Sequence, residues 1–181
     1  MKTFIYIDDS DTLGIKSKSY FDSLDTKSWF SIILTEEEKK DAEKEMLECI
    51  KKLKKDFNAS EFHFKDIYQG KKEFKNISFA ERMNIFYFFA EVHDLLQFPI
   101  LMQSFGSDDY EKNKISVDSK SEIDGFFLNR PSDLSLYFLL IRIKKFLNNS
   151  IDYEYPFQII IDEGKQKKIP QEKSNYLAIN Y

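Results

Sequence analysis

The groups best suited to chemistry stand in three short acidic segments. Asp8 and Asp9 follow the apolar run Phe4-Ile5-Tyr6-Ile7, Glu61 precedes His63 by two residues, and Asp162 and Glu163 follow Ile159-Ile160-Ile161. Two neighbouring parallel strands that each end on such an acid would bring the carboxylates close together. Like charges at short range repel strongly in a low dielectric, and a divalent cation offsets that repulsion. Oxygen donors without cysteine suit Mg²⁺ or Mn²⁺ rather than zinc. Acid-rich sites holding two ions about 3.5–4 Å apart serve in-line phosphoryl transfer. Asp8 and Asp162 are the first candidates for such a site, and Glu61, beside His63, is the third. A bland reading stays open: Asp8, Asp9 and Asp11 could simply shape a turn through side-chain bonds to their own backbone.

The elements that must position these groups can be read from periodicity. Residues 4–7 form a continuous apolar run, expected as a central strand that stops at Asp8 and Asp9, because Asp is poor inside strands. Residues 15–27 read as a polar loop. Trp29 to Leu34 is a second strand, antiparallel to the first because no helix intervenes. Thr35 suits an N-cap, Glu36, Glu37 and Glu38 suit a first turn, and apolar residues spaced by three and four carry a helix to about Phe57. Its lysine run, 51–55, reads as a solvated face, and Cys49 as a small packed hydrophobe.

Glu61 to Gly70 alternates polar and apolar, so an extended segment would place Glu61, His63 and Lys65 on one face. Ser78-Phe79-Ala80-Glu81 has the form of a capping box and opens a helix to about Leu96. His93 on that helix reads as a packed or surface residue. Pro99 to Phe105 is a third strand. Residues 106–130 lack periodicity and read as a mobile surface loop. Pro131 to Asn148 is an apolar helix, and Tyr155 to Ile161 a last strand.

Composition bounds the function. The chain has 181 residues, 18 Phe, 10 Tyr and a formal net charge of -4. That length suits one domain, residues 1–181, with an aromatic-rich core. The acidic balance argues against binding nucleic acid through bulk charge, but leaves open contact with phosphate through bound metal. A single cysteine points to a reducing, cytoplasmic compartment. Neither a signal-peptide core nor a run of about 20 apolar residues is present, so no membrane association is expected.

The order I7-D8-D9-S10, then G14, the strand WFSIIL, a long helix, E61-F62-H63 and I159-I160-I161-D162-E163-G164 resembles the domain-of-unknown-function 3800 family. That family opens with a strand ending Tyr-Ile-Asp-Glu-Ser-Gly and carries a Glu-Leu-His-like motif and a late strand followed by Asp. It belongs to the ribonuclease-H-like superfamily of metal-dependent nucleases. The resemblance implies an α/β fold, a mixed sheet with helices on its faces, shortened at the C-terminus. It implies that Asp8, Glu61 and Asp162 bind Mg²⁺ or Mn²⁺ and that His63 shuttles a proton or contacts phosphate.

The chain departs from the pattern at Asp9, where Glu is usual, and at Asp11, where Gly is usual. Glu172 is the only acid after Glu163, whereas such proteins carry a further acid on a C-terminal helix. A second resemblance, of Asp9-Ser10-Asp11-Thr12-Leu13 to the Asp-x-Asp-x-Thr signature of haloacid-dehalogenase phosphatases, fails because the Thr falls one position early.

Two functions follow as expectations. One is a metal-dependent nuclease acting on DNA or RNA, where Lys65, Lys71, Lys72 and Lys75 either contact the strand or only form a solvated loop. The other is a non-catalytic binding or inhibitory protein on a degenerate nuclease-like fold. The tail adds a partner: Tyr176, Leu177, Ile179 and Tyr181 are too apolar to stay in water at no cost, so they dock on their own domain or cover a partner chain, and a homodimer with the tail at or near its interface is the expectation tested. Light scattering should give a dimer mass for the full chain and a monomer mass after truncation at Lys173. A monomeric full chain at micromolar concentration would refute the dimer.

Overall fold

The computed structural model describes residues 2–11, 27–59, 61–113, 122–123 and 125–161. The fold is α/β, and the chain divides into two compact units, Met1–Thr35 with Pro99–Tyr181 and Glu36–Phe98.

The first unit holds a mixed four-stranded sheet. Its strands are β1 (Thr3–Asp11), β2 (Lys27–Thr35), β3 (Ile100–Phe105) and, last in the chain, β6 (Phe157–Ile161). The spatial order is β3-β2-β1-β6. β1 pairs antiparallel with β2 and parallel with β6, so it is central, as its continuous apolar run predicts. The start of β1 is tied to the chain before β6: Thr3 N donates to Pro156 O at 3.2 Å, and Thr3 Oγ1 donates to Glu154 O at 2.8 Å.

β1 does not stop at Asp8. It runs on to Asp11, because β2 continues the ladder with Asp9 opposite Trp29 and Asp11 opposite Lys27. Pairing overrides the poor strand propensity of Asp, a preference that depends strongly on context.

Residues 106–130 are not a structureless loop. They include α4 (Ser107–Lys112) and a small hairpin of β4 (Glu122–Ile123) and β5 (Phe126–Phe127). Phe126 is buried in the core, and the Tyr110 hydroxyl donates to Leu128 O. The overlooked signal was Asp124-Gly125, a two-residue hairpin dipeptide; Gly125 supplies the positive φ, 77°, that such a turn requires.

α5 (Pro131–Asn148) covers one face of this sheet. Its buried residues Leu136, Leu139, Leu140, Ile143 and Leu147 recur at helical spacing and meet Ile5, Ile7, Trp29 and Ile33. Hydrogen bonds fix its height on the sheet. Trp29 Nε1 donates to Ser132 O at 3.0 Å, Ser135 Oγ to Gln103 O at 2.9 Å, and an Arg142 guanidinium nitrogen to Met102 O at 2.8 Å.

The second unit is helical. α1 (Glu36–Phe57), α2 (Phe64–Gln69), a 3-10 turn (Lys72–Phe74) and α3 (Phe79–Leu96) close around Leu53, Ala59, Ile67, Phe74 and Ile85. The capping box before α3 is formed: Glu81 N donates to Ser78 Oγ at 3.3 Å, and Ser78 N donates to Glu81 Oε2 at 3.1 Å. Among the described residues no helix is long and apolar enough to cross a membrane.

Leu139 is fully buried against the sheet. Leu139→Ala should destabilise the first unit by about 2–5 kcal/mol. Ser31, equally buried, has a hydroxyl without a partner among the described residues. Ser31→Ala should therefore cost nothing or stabilise, since it removes a desolvated polar group. The denaturation midpoint read from Trp29, the chain's one tryptophan, checks both.

Candidate functional site

Alternation along β1 sorts its residues between the two faces of the sheet. Ile5 and Ile7 face α5, and Asp9 follows them in parity, paired with Trp29. Phe4, Tyr6 and Asp8 belong to the opposite face, where Asp8 pairs with Phe30 and Tyr6 with Ile160. Asp8 is exposed, and its Oδ1 accepts the Asp9 N–H at 2.9 Å. The parallel pairing with β6 runs to Ile7 opposite Ile161. Asp162 and Glu163 lie outside the described residues, as do the loop expected before Lys27 and the apolar tail.

Glu61 and His63 belong to the second unit, just before α2. The expected extended segment 61–70 is helical from Phe64 onward. The reason lies in its spacing: Phe64, Ile67 and Tyr68 stand at i, i+3 and i+4, and Ile67 is needed in the core. Gly70 closes the helix at φ +62°, in the left-handed conformation of a C-cap. A Cβ there would meet the Arg82 guanidinium at 2.6 Å, so a side chain would be strained and would displace Arg82.

Lys65 consequently leaves the row it was expected to share with Glu61 and His63 and sits in the first turn of α2. The other two remain together. His63 holds an extended backbone, φ -108° and ψ 102°, and its Nε2 lies 2.5 Å from Glu61 Oε2.

These two line a small open cleft of about 50 Å³ with Ala59, Asp66, Lys72, Glu73 and Phe74. It is far smaller than the several hundred Å³ of a pocket that encloses an organic ligand. Carboxylates on its wall are oxygen donors of the kind hard cations take. Lys72 Nζ lies 2.6 Å from Asp66 Oδ2. This bond to Lys72 holds the Asp66 carboxyl below its usual range, and Asp66 raises Lys72 in return. Lys72 takes a left-handed backbone, φ 51°, which strains a lysine; Asn58, φ 56°, caps the end of α1, its N–H donating to Lys54 O at 3.0 Å.

The structure thus brings Glu61 to His63 and places Asp8 on an exposed strand position in the other unit. The sequence reading missed the Asp66–Lys72 pair, because 66 and 72 meet only once Gly70 turns the chain. The lysines of 51–55 are exposed, as a solvated face should be, and Lys51 pairs with Glu48 at 2.6 Å. Cys49 is half-buried. Its thiol donates to Phe88 O at 3.6 Å, and burial, then Glu45, pushes its pKa up, which is unfavourable for a nucleophile. His93 is half-exposed and meets the Phe98 ring edge-on at 5.0 Å.

Comparison of the chain with protein-family models, with curated proteins and with solved structures finds no match.

The Asp66–Lys72 pair gives a pH signature of known sign. A depressed Asp66 stabilises above its unfolded pKa, and that contribution is lost as pH falls through the lower folded value. A raised Lys72 stabilises below its unfolded pKa, and its contribution is lost as pH rises through the higher folded value. Lys72→Met should return Asp66 toward the ordinary carboxylate range in a carboxyl NMR titration. It should also lower amide-exchange protection in α2 more at neutral than at strongly acid pH. An unmoved Asp66 titration would show that Lys72 is not its controlling partner.

Proposed function

We propose that the chain is a Mg²⁺- or Mn²⁺-dependent phosphodiesterase acting on nucleic acid, built on a ribonuclease-H-like sheet, with Asp8, Glu61 and Asp162 as its metal-binding acids. One observation carries this reading. β1 and β6 pair in parallel with Ile7 opposite Ile161, and in the sequence the next residue of each segment is an aspartate.

The donor chemistry fits. Asp8 and Glu61 are exposed carboxylates, and Asp162 adds a third of the same hard-oxygen type. When bound, the cation supplies Lewis-acid stabilisation of the charge that builds on a transferring phosphate. The chain's own residues supply the rest. Asp8, Glu61 and Asp162 offer the negative charge that selects a divalent ion. Glu61 orients the imidazole of His63 through the 2.5 Å contact. His63 is the group fitted to carry a proton to or from the phosphate ester. The lone cysteine suits a cytoplasmic setting for this activity.

Titration calorimetry with Mn²⁺ and cleavage of a fluorophore–quencher oligonucleotide test the proposal together. The wild type should bind and cleave, and Asp8→Asn should lose both, with a rate loss of about a hundredfold or more. Without metal, Asp8→Asn should melt no lower than wild type, since the Asp8 side chain is exposed and its part in this reading is to hold metal. A clear loss of metal-free stability would assign Asp8 to shaping the strand end instead. Oligonucleotide binding without Mn²⁺ binding or cleavage would identify a non-catalytic binding protein.

A further inference from the structure

The second unit exposes a run of aromatic rings. Phe64, Tyr68 and Phe79 keep 60%, 50% and 54% of their surface in water. They touch one another in order. The Phe64 and Tyr68 rings are parallel to within 8° at 5.8 Å between centroids, and Tyr68 meets Phe79 edge-on at 5.9 Å. The inner end is anchored, since Phe64 packs at 4.7 Å on the half-buried Phe86. Three adjoining exposed rings form an apolar patch of the kind that marks a binding surface.

Geometry and charge indicate what binds. Two parallel ring planes present the surface on which a further planar group continues a stack. Lys65, next to Phe64, and Lys71 and Lys75 beyond Gly70 are exposed, and none has an ion pair among the described residues. Lys72, by contrast, is engaged by Asp66. Rings that accept bases and unpaired cations that accept phosphates are the two components of a single-strand binding surface. A duplex keeps its base faces covered, so it cannot use the rings.

We infer that the Phe64–Tyr68–Phe79 ladder is a stacking platform for the bases of single-stranded nucleic acid. This rests on the nucleic-acid reading above for the class of partner and gives it a substrate form. It depends on none of the proposed metal-binding residues.

The test uses the full chain in EDTA at low salt, where cleavage plays no part, and reads the fluorescence anisotropy of a labelled oligothymidylate. Wild type should bind, and an unlabelled duplex should compete far less well than a single strand. Phe64→Ala and Tyr68→Ala should each weaken binding about tenfold, the scale of one lost base stack. Lys65→Gln should reduce the salt dependence of binding. Circular dichroism melts should show every variant folded at the assay temperature, Lys65→Gln near wild type and Phe64→Ala lowered by its lost contact with Phe86.

Phe64→Trp keeps a ring at the site and adds a reporter; it should retain affinity and lose tryptophan emission when the oligonucleotide is added. No binding by wild type, unchanged affinity in both alanine variants, or equal competition by duplex would each overturn the proposal. So would a dimer mass that Phe64→Ala abolishes, which would give the ladder to a second copy of the chain. If Mn²⁺ binding and cleavage fail while ladder-dependent binding holds, the phosphodiesterase reading falls and this one stands.

Discussion

Burial of one face of β1 and β2 beneath α5 is the constraint on which the first unit depends. Ile5, Ile7, Trp29 and Ile33 must all point at Leu136, Leu139, Leu140 and Ile143. Side chains alternate along a strand, so a slip of one residue would turn the whole set toward the opposite face. The register is fixed by that demand, and the hydrogen bonds of Trp29 and Ser135 lock the helix to it. The same register decides what becomes of two adjacent acids. Asp9 takes the parity of the core residues, and Asp8 the parity of Phe4 and Tyr6. Two residues alike in chemistry and neighbours in sequence are separated by the sheet itself.

The elements built on strong periodicity were legible in the sequence. The helices Glu36–Phe57, Phe79–Leu96 and Pro131–Asn148 stand where apolar spacing puts them, the capping box before Phe79 is formed, and β1 and β2 pair as their short connection requires. The misreadings come from local patterns that tertiary pairing and packing override or that are too short to read. Glu-Phe-His-Phe-Lys-Asp-Ile-Tyr alternates like a strand, yet also spaces Phe64, Ile67 and Tyr68 like one helical turn. Burial of Ile67 with Phe74 and Ile85 decides for the helix. At Asp8 and Asp9 propensity marked an end, but the partner strand continued. Around Phe126 two short strands left too few residues to show a period, and only the Asp-Gly dipeptide signalled the turn.

The candidate site was legible in part for the same reason. Glu61 and His63 are close in sequence, so their contact survives the change from extended chain to helix start. Asp66 and Lys72 are separated by a glycine turn, and nothing in the one-dimensional pattern says that they pair. A lysine that composition offers to phosphate is thereby engaged by a carboxylate, while its neighbours Lys71 and Lys75 form no ion pair among the described residues.

Helix α2 shows how little chain is needed to sort residues by role. Its six residues make fewer than two turns. Ile67 goes inward and is fully buried, Asp66 turns to Lys72 at the cleft, and Phe64 and Tyr68 stack on the outside. A helix this short is marginal by itself and depends on tertiary packing. The core contact of Ile67, the Gly70 cap and the Arg82 bond to Ile77 O at 2.6 Å supply that support from one side. The stacked pair Phe64 and Tyr68 adds support from the other side, at the cost of exposing apolar surface to water. The two rings thus serve α2 by their contact with each other and with Phe86, and still leave half or more of their surface in water.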